Sequence, residues 1–156
     1  MEKYNYDKID ELIEKAYWLI DIFPEQVKAD SEGQFFPIEQ YFLKHSNIER
    51  VYQKFINILL KLNCYYDFQV SYIVEDGWIK NPPPETLTQW IFQCISHECG
   101  KREYMNIIIE SENSMMIVNG DDLYMALYNP SNKLKSLVET FAGAEGLFVW
   151  KPCLLP

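Results

Sequence analysis

The residue types best suited to chemistry are two cysteines and a histidine in the short segment CISHEC, residues 94–99. Thiolate sulfur and imidazole nitrogen are the ligands that zinc prefers in proteins. Cys94 and His97 lie one turn apart on a predicted helix, whereas Cys99 lies about 140° around that helix from Cys94. Cys94 also falls in the apolar stripe of the helix, so a buried core thiol explains it better than a metal ligand does. We therefore expect no cofactor, and Cys94, His97 and Cys99 are weak metal candidates.

The same residue types could also support nucleophilic catalysis, with Cys94 or Cys99 as the attacking thiol and His45 or His97 as the base. Closeness in sequence says little about such pairs, because they are assembled in space from distant segments. The chain has only two histidines, so the usual general base is scarce. A small enzyme is therefore an alternative hypothesis that no motif supports.

Two adjacent carboxylates, Asp121 and Asp122, follow an Asn-Gly pair in a predicted tight turn. Clustered aspartates in a glycine-containing turn can bind a hard cation such as calcium or magnesium. The sequence NGDD nevertheless lacks the alternating ligand series of a calcium loop, and Asn, Asp and Gly are the ordinary residues of turns. Asp121 and Asp122 are thus also weak metal candidates.

Trp78 lies in an irregular, proline-rich stretch between Asp76 and Glu85. A structural explanation is that its ring folds back over the third helix, because tryptophan is highly buried on average. A functional explanation is that Trp78 anchors a partner protein, because tryptophan is enriched at interface hot spots. Asp76, Trp78 and Glu85 are the residues that we predict to bind a partner.

Adjacent aromatic residues point to a partly apolar surface. Neighbouring side chains on a strand point to opposite faces, so two adjacent rings cannot both enter one core face. Some of these rings should therefore be exposed or covered only by loops, which is typical of a protein-binding surface. The pairs are Phe35-Phe36, Tyr41-Phe42 and Tyr65-Tyr66.

Hydrophobic periodicity predicts one α+β domain over residues 1–156, with about four helices and a mainly antiparallel sheet of about five strands. The predicted order is α-α-β-α-β-β-β-α-β. The predicted helices cover about 7–22, 47–62, 84–86 to before Gly100, and 131–132 to before Gly143, with one or two further helical turns in 37–45. The predicted strands are 65–74, 104–111, 114–118, 123–128 and 147–150, the last of them reached by a crossover over the fourth helix.

Charge and composition restrict the classes of partner. The chain has 23 acidic and 14 basic side chains and a formal charge of −9, so it should repel nucleic acid and anionic membrane surfaces. Only two of the cations are arginines, the residue favoured for binding phosphate. The sequence shows neither an apolar run long enough to span a membrane nor a leader, so we predict a cytoplasmic protein with reduced cysteines.

These observations favour a small acidic cytosolic module that binds another protein, one that could carry a basic surface. Inhibitors, bacterial immunity proteins and secretion chaperones share this size and charge, although no motif connects the chain with them. One alternative is an enzyme or ligand-binding domain with a pocket between helices and sheet, and another is a structural homodimer. The chain has 12 lysines and only 2 arginines, which indicates an AT-rich genome, and we expect a bacterial source.

Overall fold

The computed structural model describes residues 2–72, 77–96 and 104–153. The helices in this part are α1 (Glu2–Leu12), α2 (Phe35–Leu43), α3 (His45–Asn63), α4 (Pro84–Ser96) and α5 (Asn132–Ala144). The strands are β1 (Tyr17–Asp21), β2 (Gln69–Tyr72), β3 (Ile79–Lys80), β4 (Tyr104–Ile109), β5 (Ser114–Asn119), β6 (Tyr124–Tyr128) and β7 (Phe148–Trp150). Among these helices, none is long and apolar enough to cross a membrane.

The seven strands form one sheet in the order β3-β2-β4-β5-β6-β1-β7, and each neighbouring pair is antiparallel. The α+β class is confirmed, and so is the meander β4-β5-β6. The first predicted strand is shorter than expected in the described part, because Tyr65 and Tyr66 belong to the turn that ends α3. The next predicted strand also ends early, at Ile109, where a single 3-10 turn begins.

The predicted helix over residues 7–22 is wrong in its second half. Helix α1 ends at Leu12, and Tyr17–Asp21 forms strand β1 between β6 and β7. The apolar residues of this segment fit a helical period, but its aromatic and branched side chains also suit a strand with both faces covered. Pairing with a strand on either side satisfies the backbone of β1 along both edges, which tertiary structure provides and local periodicity does not reveal.

The start of α3 also differs from the prediction. The spacing of Ser46 and Glu49 predicts a capping box at the start of this helix, but the helix already begins at His45, and its N-cap residue is Lys44. The Lys44 carbonyl oxygen accepts hydrogen bonds from the backbone N–H groups of Asn47 and Ile48, at 2.9 and 2.8 Å. Lys44 is therefore both the C-cap of α2 and the N-cap of α3. In contrast, the sequence predicts Ser131 or Asn132 as the cap of α5, and Ser131 is the one, because its Oγ accepts from the Leu134 N–H at 3.1 Å.

Helices α3, α4 and α5 cover one face of the sheet and form the main core. The apolar stripes that predict α3 and α4 are confirmed, since every residue in them is buried. They are Ile48, Val51, Tyr52, Phe55, Ile56, Leu59 and Leu62 in α3, and Leu87, Trp90, Ile91, Cys94 and Ile95 in α4. The sheet contributes alternate side chains to this core, as a pleated strand requires. Those side chains are Ile20, Val70, Tyr72, Met105, Ile107, Ile109, Met116, Val118, Met125 and Leu127.

The opposite face of the sheet is divided into two halves. Helix α1 covers the β4 and β5 half, where Leu12 packs against Ile108 and Met115. In the other half, alternation along β6, β1 and β7 places eight side chains on this face, and five of them are Tyr17, Leu19, Asp21, Tyr124 and Trp150. These five residues form the floor of a cavity.

Two contacts hold the turn between β5 and β6 against the core, one with α3 and one with α4. The Tyr52 hydroxyl of α3 donates to the backbone carbonyl oxygens of Asn119 and Asp122, the second at 2.5 Å. Gly120 lies so close to α4 that a Cβ atom there would stand 1.8 Å from the backbone oxygen of Cys94. The position therefore requires glycine because of this close approach.

Replacing Gly120 by alanine should destabilise the fold by about 3 kcal/mol or more, because neither the turn nor the backbone of α4 can move without disrupting packing. Gly143→Ala is the control: that glycine lies on an exposed part of α5 with nothing within 4 Å of an added Cβ. It should stabilise the protein by about 0.5 to 1 kcal/mol, as is usual for glycine inside a helix. Urea denaturation of both variants tests this difference, and equal stabilities would contradict it.

Candidate binding site

The second face of the sheet carries a cavity of about 500 Å³ beside β1, β6 and β7. It is lined by residues of three kinds of segment: strand residues on the floor, α2 on one wall, and loops around the rim. The lining residues are Tyr17, Leu19, Asp21, Phe23, Glu25, Gln26, Val27, Phe35, Glu39, Leu43, Asp121, Asp122, Leu123, Tyr124, Trp150, Pro152 and Cys153.

Strand register fixes the floor of the cavity. Asp21 of β1 pairs with Tyr124 of β6, and Leu19 pairs with Trp150 of β7. Directly opposite residues on antiparallel strands have Cβ atoms about 5 Å apart and share one face of the sheet. Trp150 is the diagonal neighbour of Asp21, which lets the indole N–H reach the carboxylate.

Helix α2 supplies a wall through one row of side chains. Phe35, Glu39 and Leu43 are spaced by four residues, so they project from the same side of the helix. Phe35 also contacts Phe23 from the loop after β1, and their ring centroids are 6.0 Å apart. The wall thus presents one carboxylate between apolar side chains.

All charged side chains among the described lining residues are acidic. Five of the lining residues are acids, namely Asp21, Glu25, Glu39, Asp121 and Asp122, and five carry aromatic rings. No lysine, arginine or histidine is among the described residues that line the cavity. Carboxylates attract cations, and aromatic faces attract them further through the ring quadrupole, so the cavity is suited to a positively charged group.

Asp21 is the most deeply placed of these acids and only 7% exposed. Its Oδ1 accepts a hydrogen bond from the Phe23 backbone N–H at 3.3 Å, and its Oδ2 accepts from Trp150 Nε1 at 3.2 Å. Burial raises the pKa of Asp21, although these hydrogen bonds oppose the shift. Both donors are neutral, so they orient the carboxylate without cancelling its charge.

Two tyrosines organise the acids of the β5–β6 turn. Burial, together with the charge of Asp122, raises the pKa of Tyr124 to about 12, and the Tyr124 phenol also hydrogen-bonds to the Asp122 side chain. Tyr52 holds the same turn from the core side through its contacts with the backbone. Burial and the charges of Asp122, Cys94 and Asp121 raise the pKa of Tyr52, so its phenol stays a hydrogen-bond donor.

The structure brings together some of the residues singled out from sequence and separates others. Asp121 and Asp122 both line the cavity, whereas Cys94 is fully buried in the main core. His97 and Cys99 lie outside the described residues, as does the side chain of His45. In the part of the chain that is described, no group of three or more His, Cys, Asp or Glu side chains is arranged to hold a metal ion.

The three residues predicted to bind a partner lie away from this cavity or outside the described ranges. Trp78 is half-buried against the apolar cluster of Leu12, Ile108 and Met115 under α1, and its ring centroid lies 5.9 Å from that of Tyr6. It does not fold over the third predicted helix, which is α4, as its structural explanation supposed. Glu85 is exposed in the first turn of α4. Asp76 is not among the described residues. Partner binding by these residues stays a prediction.

Sequence reasoning missed Asp21 and Trp150. Assigning residues 7–22 to a helix placed Asp21 at the C-terminal end of that helix, where an acid is unfavourable for the helix dipole but indicates no binding site. The available signal was the single acid inside the apolar run WLIDIF. Burying a carboxylate in a strand of a covered sheet costs folding free energy, so such a residue indicates a possible function. The partner strand of Asp21 could not be identified from sequence, so its contact with Trp150 could not be either.

Comparisons with models of known protein families, with characterised proteins and with solved structures found no match to this chain.

The raised pKa of Asp21 predicts a specific pH dependence. The folded protein binds this proton more readily than the unfolded chain, whose carboxyl keeps its ordinary value of 3.8. The ionised carboxylate therefore costs stability at neutral pH, and this cost is relieved as the pH falls through the folded pKa. The free energy of unfolding of the wild type, relative to Asp21→Asn, should increase between neutral pH and about pH 4.

Urea denaturation at several pH values measures this difference. Asp10→Asn, which removes an exposed carboxylate outside the cavity, serves as the control for the loss of one charge. A difference between wild type and Asp21→Asn that stays constant with pH would contradict the expectation.

Proposed function

We propose that this protein is an interaction module that binds a basic partner protein, and that the cavity on the second sheet face receives a cationic side chain of that partner. The observation that carries this proposal is the cavity lining, in which five acids and five aromatic residues meet with no cation among the described lining residues. Such a lining matches a positive group both electrostatically and through ring contacts.

The charge of the whole chain supports the same partner class. A formal charge of −9 favours encounter with a basic protein, because complementary fields raise association rates. The same charge opposes nucleic acid and anionic membranes as partners. A homodimer joined through this cavity would place acids against acids, which is unfavourable.

Helix α2 extends the binding surface beyond the cavity. While one side of α2 lines the cavity, other residues of this helix expose large apolar side chains, with Phe36 at 66%, Tyr41 at 55% and Ile38 at 43% exposure. The prediction that some adjacent aromatic residues are exposed is confirmed here and at Tyr65. An apolar patch beside a charged cavity favours a protein over a small molecule, because a small ligand would leave the patch uncovered.

The proposed setting is the cytoplasm of a bacterium, where an acidic module of this size would act as an inhibitor, immunity protein or chaperone. Cys64 and Cys153 are exposed free thiols, which agrees with a reducing compartment.

A small cationic ligand is the second candidate for the cavity. Its volume of about 500 Å³ falls within the range of small-molecule sites. The position of the cavity between α2 and the sheet supports this candidate, and Asp121 and Asp122 would be among its polar groups.

A matched pair of double variants tests the proposal. Glu25→Gln with Asp121→Asn removes two exposed acids from the cavity lining, while Glu14→Gln with Asp10→Asn removes two exposed acids outside it. The two proteins have equal net charge and identical types of substitution. The wild type and both double variants are used as bait in extracts of the cells that naturally make this protein. The affinity of any captured protein for each of the three is then measured by calorimetry.

We expect a basic protein that binds the wild type and the control equally and the cavity variant about tenfold more weakly, because two favourable charge contacts are lost. Its affinity should fall as salt is raised. Equal binding to both double variants would contradict the proposal. Capture of no basic protein, together with a small cation that copurifies with the wild type, would favour the second candidate.

A further inference from the structure

The cavity contains a buried charge that the described part of the chain leaves uncompensated. Asp21 is more than nine-tenths buried, yet no ion pair joins it to a cation among the described residues. A buried charge is costly unless it is paired and hydrogen-bonded. The N–H groups of Phe23, Trp150 and Ile22 that act on Asp21 are all neutral, so an incoming cation would supply what the fold lacks.

The carboxylate has acceptor capacity beyond the hydrogen bonds that the fold supplies. An ionised carboxylate has about four acceptor sites on its two oxygens. The Phe23 N–H uses one site on Oδ1, Trp150 Nε1 uses one on Oδ2, and the Ile22 backbone N–H also acts on this carboxylate, so acceptor capacity remains for an incoming donor. A ligand with two parallel N–H groups could therefore bind both oxygens at once.

The walls favour a flat cation with a weak hydration shell. The rings of Tyr17, Tyr124 and Trp150 lie on the floor with Asp21, and those of Phe23 and Phe35 stand at the side. A guanidinium group is planar, stacks on aromatic faces and loses its water more easily than an ammonium group. A quaternary ammonium would satisfy the rings but could give no N–H to the carboxylate.

The remaining lining suits an apolar stem. Leu19, Val27, Leu43 and Leu123 line the cavity beside the acids, and the methylene chain of a long basic side chain can pack against such residues. We infer that the cavity recognises the guanidinium of an arginine side chain presented by the partner protein, with Asp21 as its bidentate acceptor. This inference rests on the proposed function and specifies its ligand.

Three capped five-residue peptides, identical except for arginine, lysine or trimethyllysine at the centre between glycines, test the inference. Their dissociation constants are measured by NMR from the Trp150 indole N–H signal, which should move because Nε1 shares Asp21 with the ligand. The arginine peptide should bind about tenfold more tightly than the lysine peptide, since only guanidinium forms the paired hydrogen bonds. Asp21→Asn should remove this preference, and the Asp10→Asn control should keep it.

Equal or tighter binding of the lysine or trimethyllysine peptide would overturn the inference, and so would an unmoved Trp150 signal with all three. The comparison of the three peptides on the wild type needs no variant, so it decides the question even if Asp21→Asn does not fold.

Failure of the inference can be told from failure of the proposed function. A partner that depends on Glu25 and Asp121 but shows no preference for arginine overturns the guanidinium assignment alone. If free arginine binds as tightly as the arginine peptide and no protein is captured through the cavity, the proposal that a partner protein supplies the guanidinium group is overturned.

Discussion

The hydrogen-bonded ladders that β1 forms with β6 on one side and β7 on the other are the constraint on which the candidate site depends. Strand β1 inserts between strands that come from the other end of the sequence, so the floor of the cavity joins residues more than a hundred positions apart. Its register places Asp21 beside Tyr124 and within reach of Trp150. A shift of one residue would turn Asp21 into the main core, where the helices leave no room for a charge.

Stability and the proposed function are opposed at Asp21. The main core, under α3, α4 and α5, is apolar and needs no charged group. The second sheet face instead holds a buried acid whose pKa is raised, which is a cost that the fold alone does not explain. Such costs are characteristic of functional sites, because a group that is expensive in the free protein gains most from a partner of opposite charge. Tyr52 and Gly120 hold the neighbouring acidic turn from the core side, so the acids are presented by a rigid support.

Much of the fold could be predicted from residue patterns. The stripes of α3 and α4, the cap of α5 at Ser131 and the meander of β4, β5 and β6 are local features, and local periodicity and turn chemistry reveal them. Residues 17–21 could not be assigned in this way, because their strand is stabilised by partners far along the chain. The candidate site depended on that strand. Asp121 and Asp122 were singled out for a metal, whereas their surroundings of rings and further acids, visible only in three dimensions, suit an organic cation better.

Titration of the isotopically labelled protein with methylguanidinium, followed by backbone amide NMR, tests the central claim most directly. The claim predicts saturable shift changes that cluster in β1, the loop of residues 23–27, α2, the turn of residues 121–124 and the segment of residues 150–153. Methylammonium at the same concentration should produce smaller changes at the same amides. Changes spread evenly over exposed acids, or concentrated on the face of α4 and α5, would contradict a cation site in this cavity.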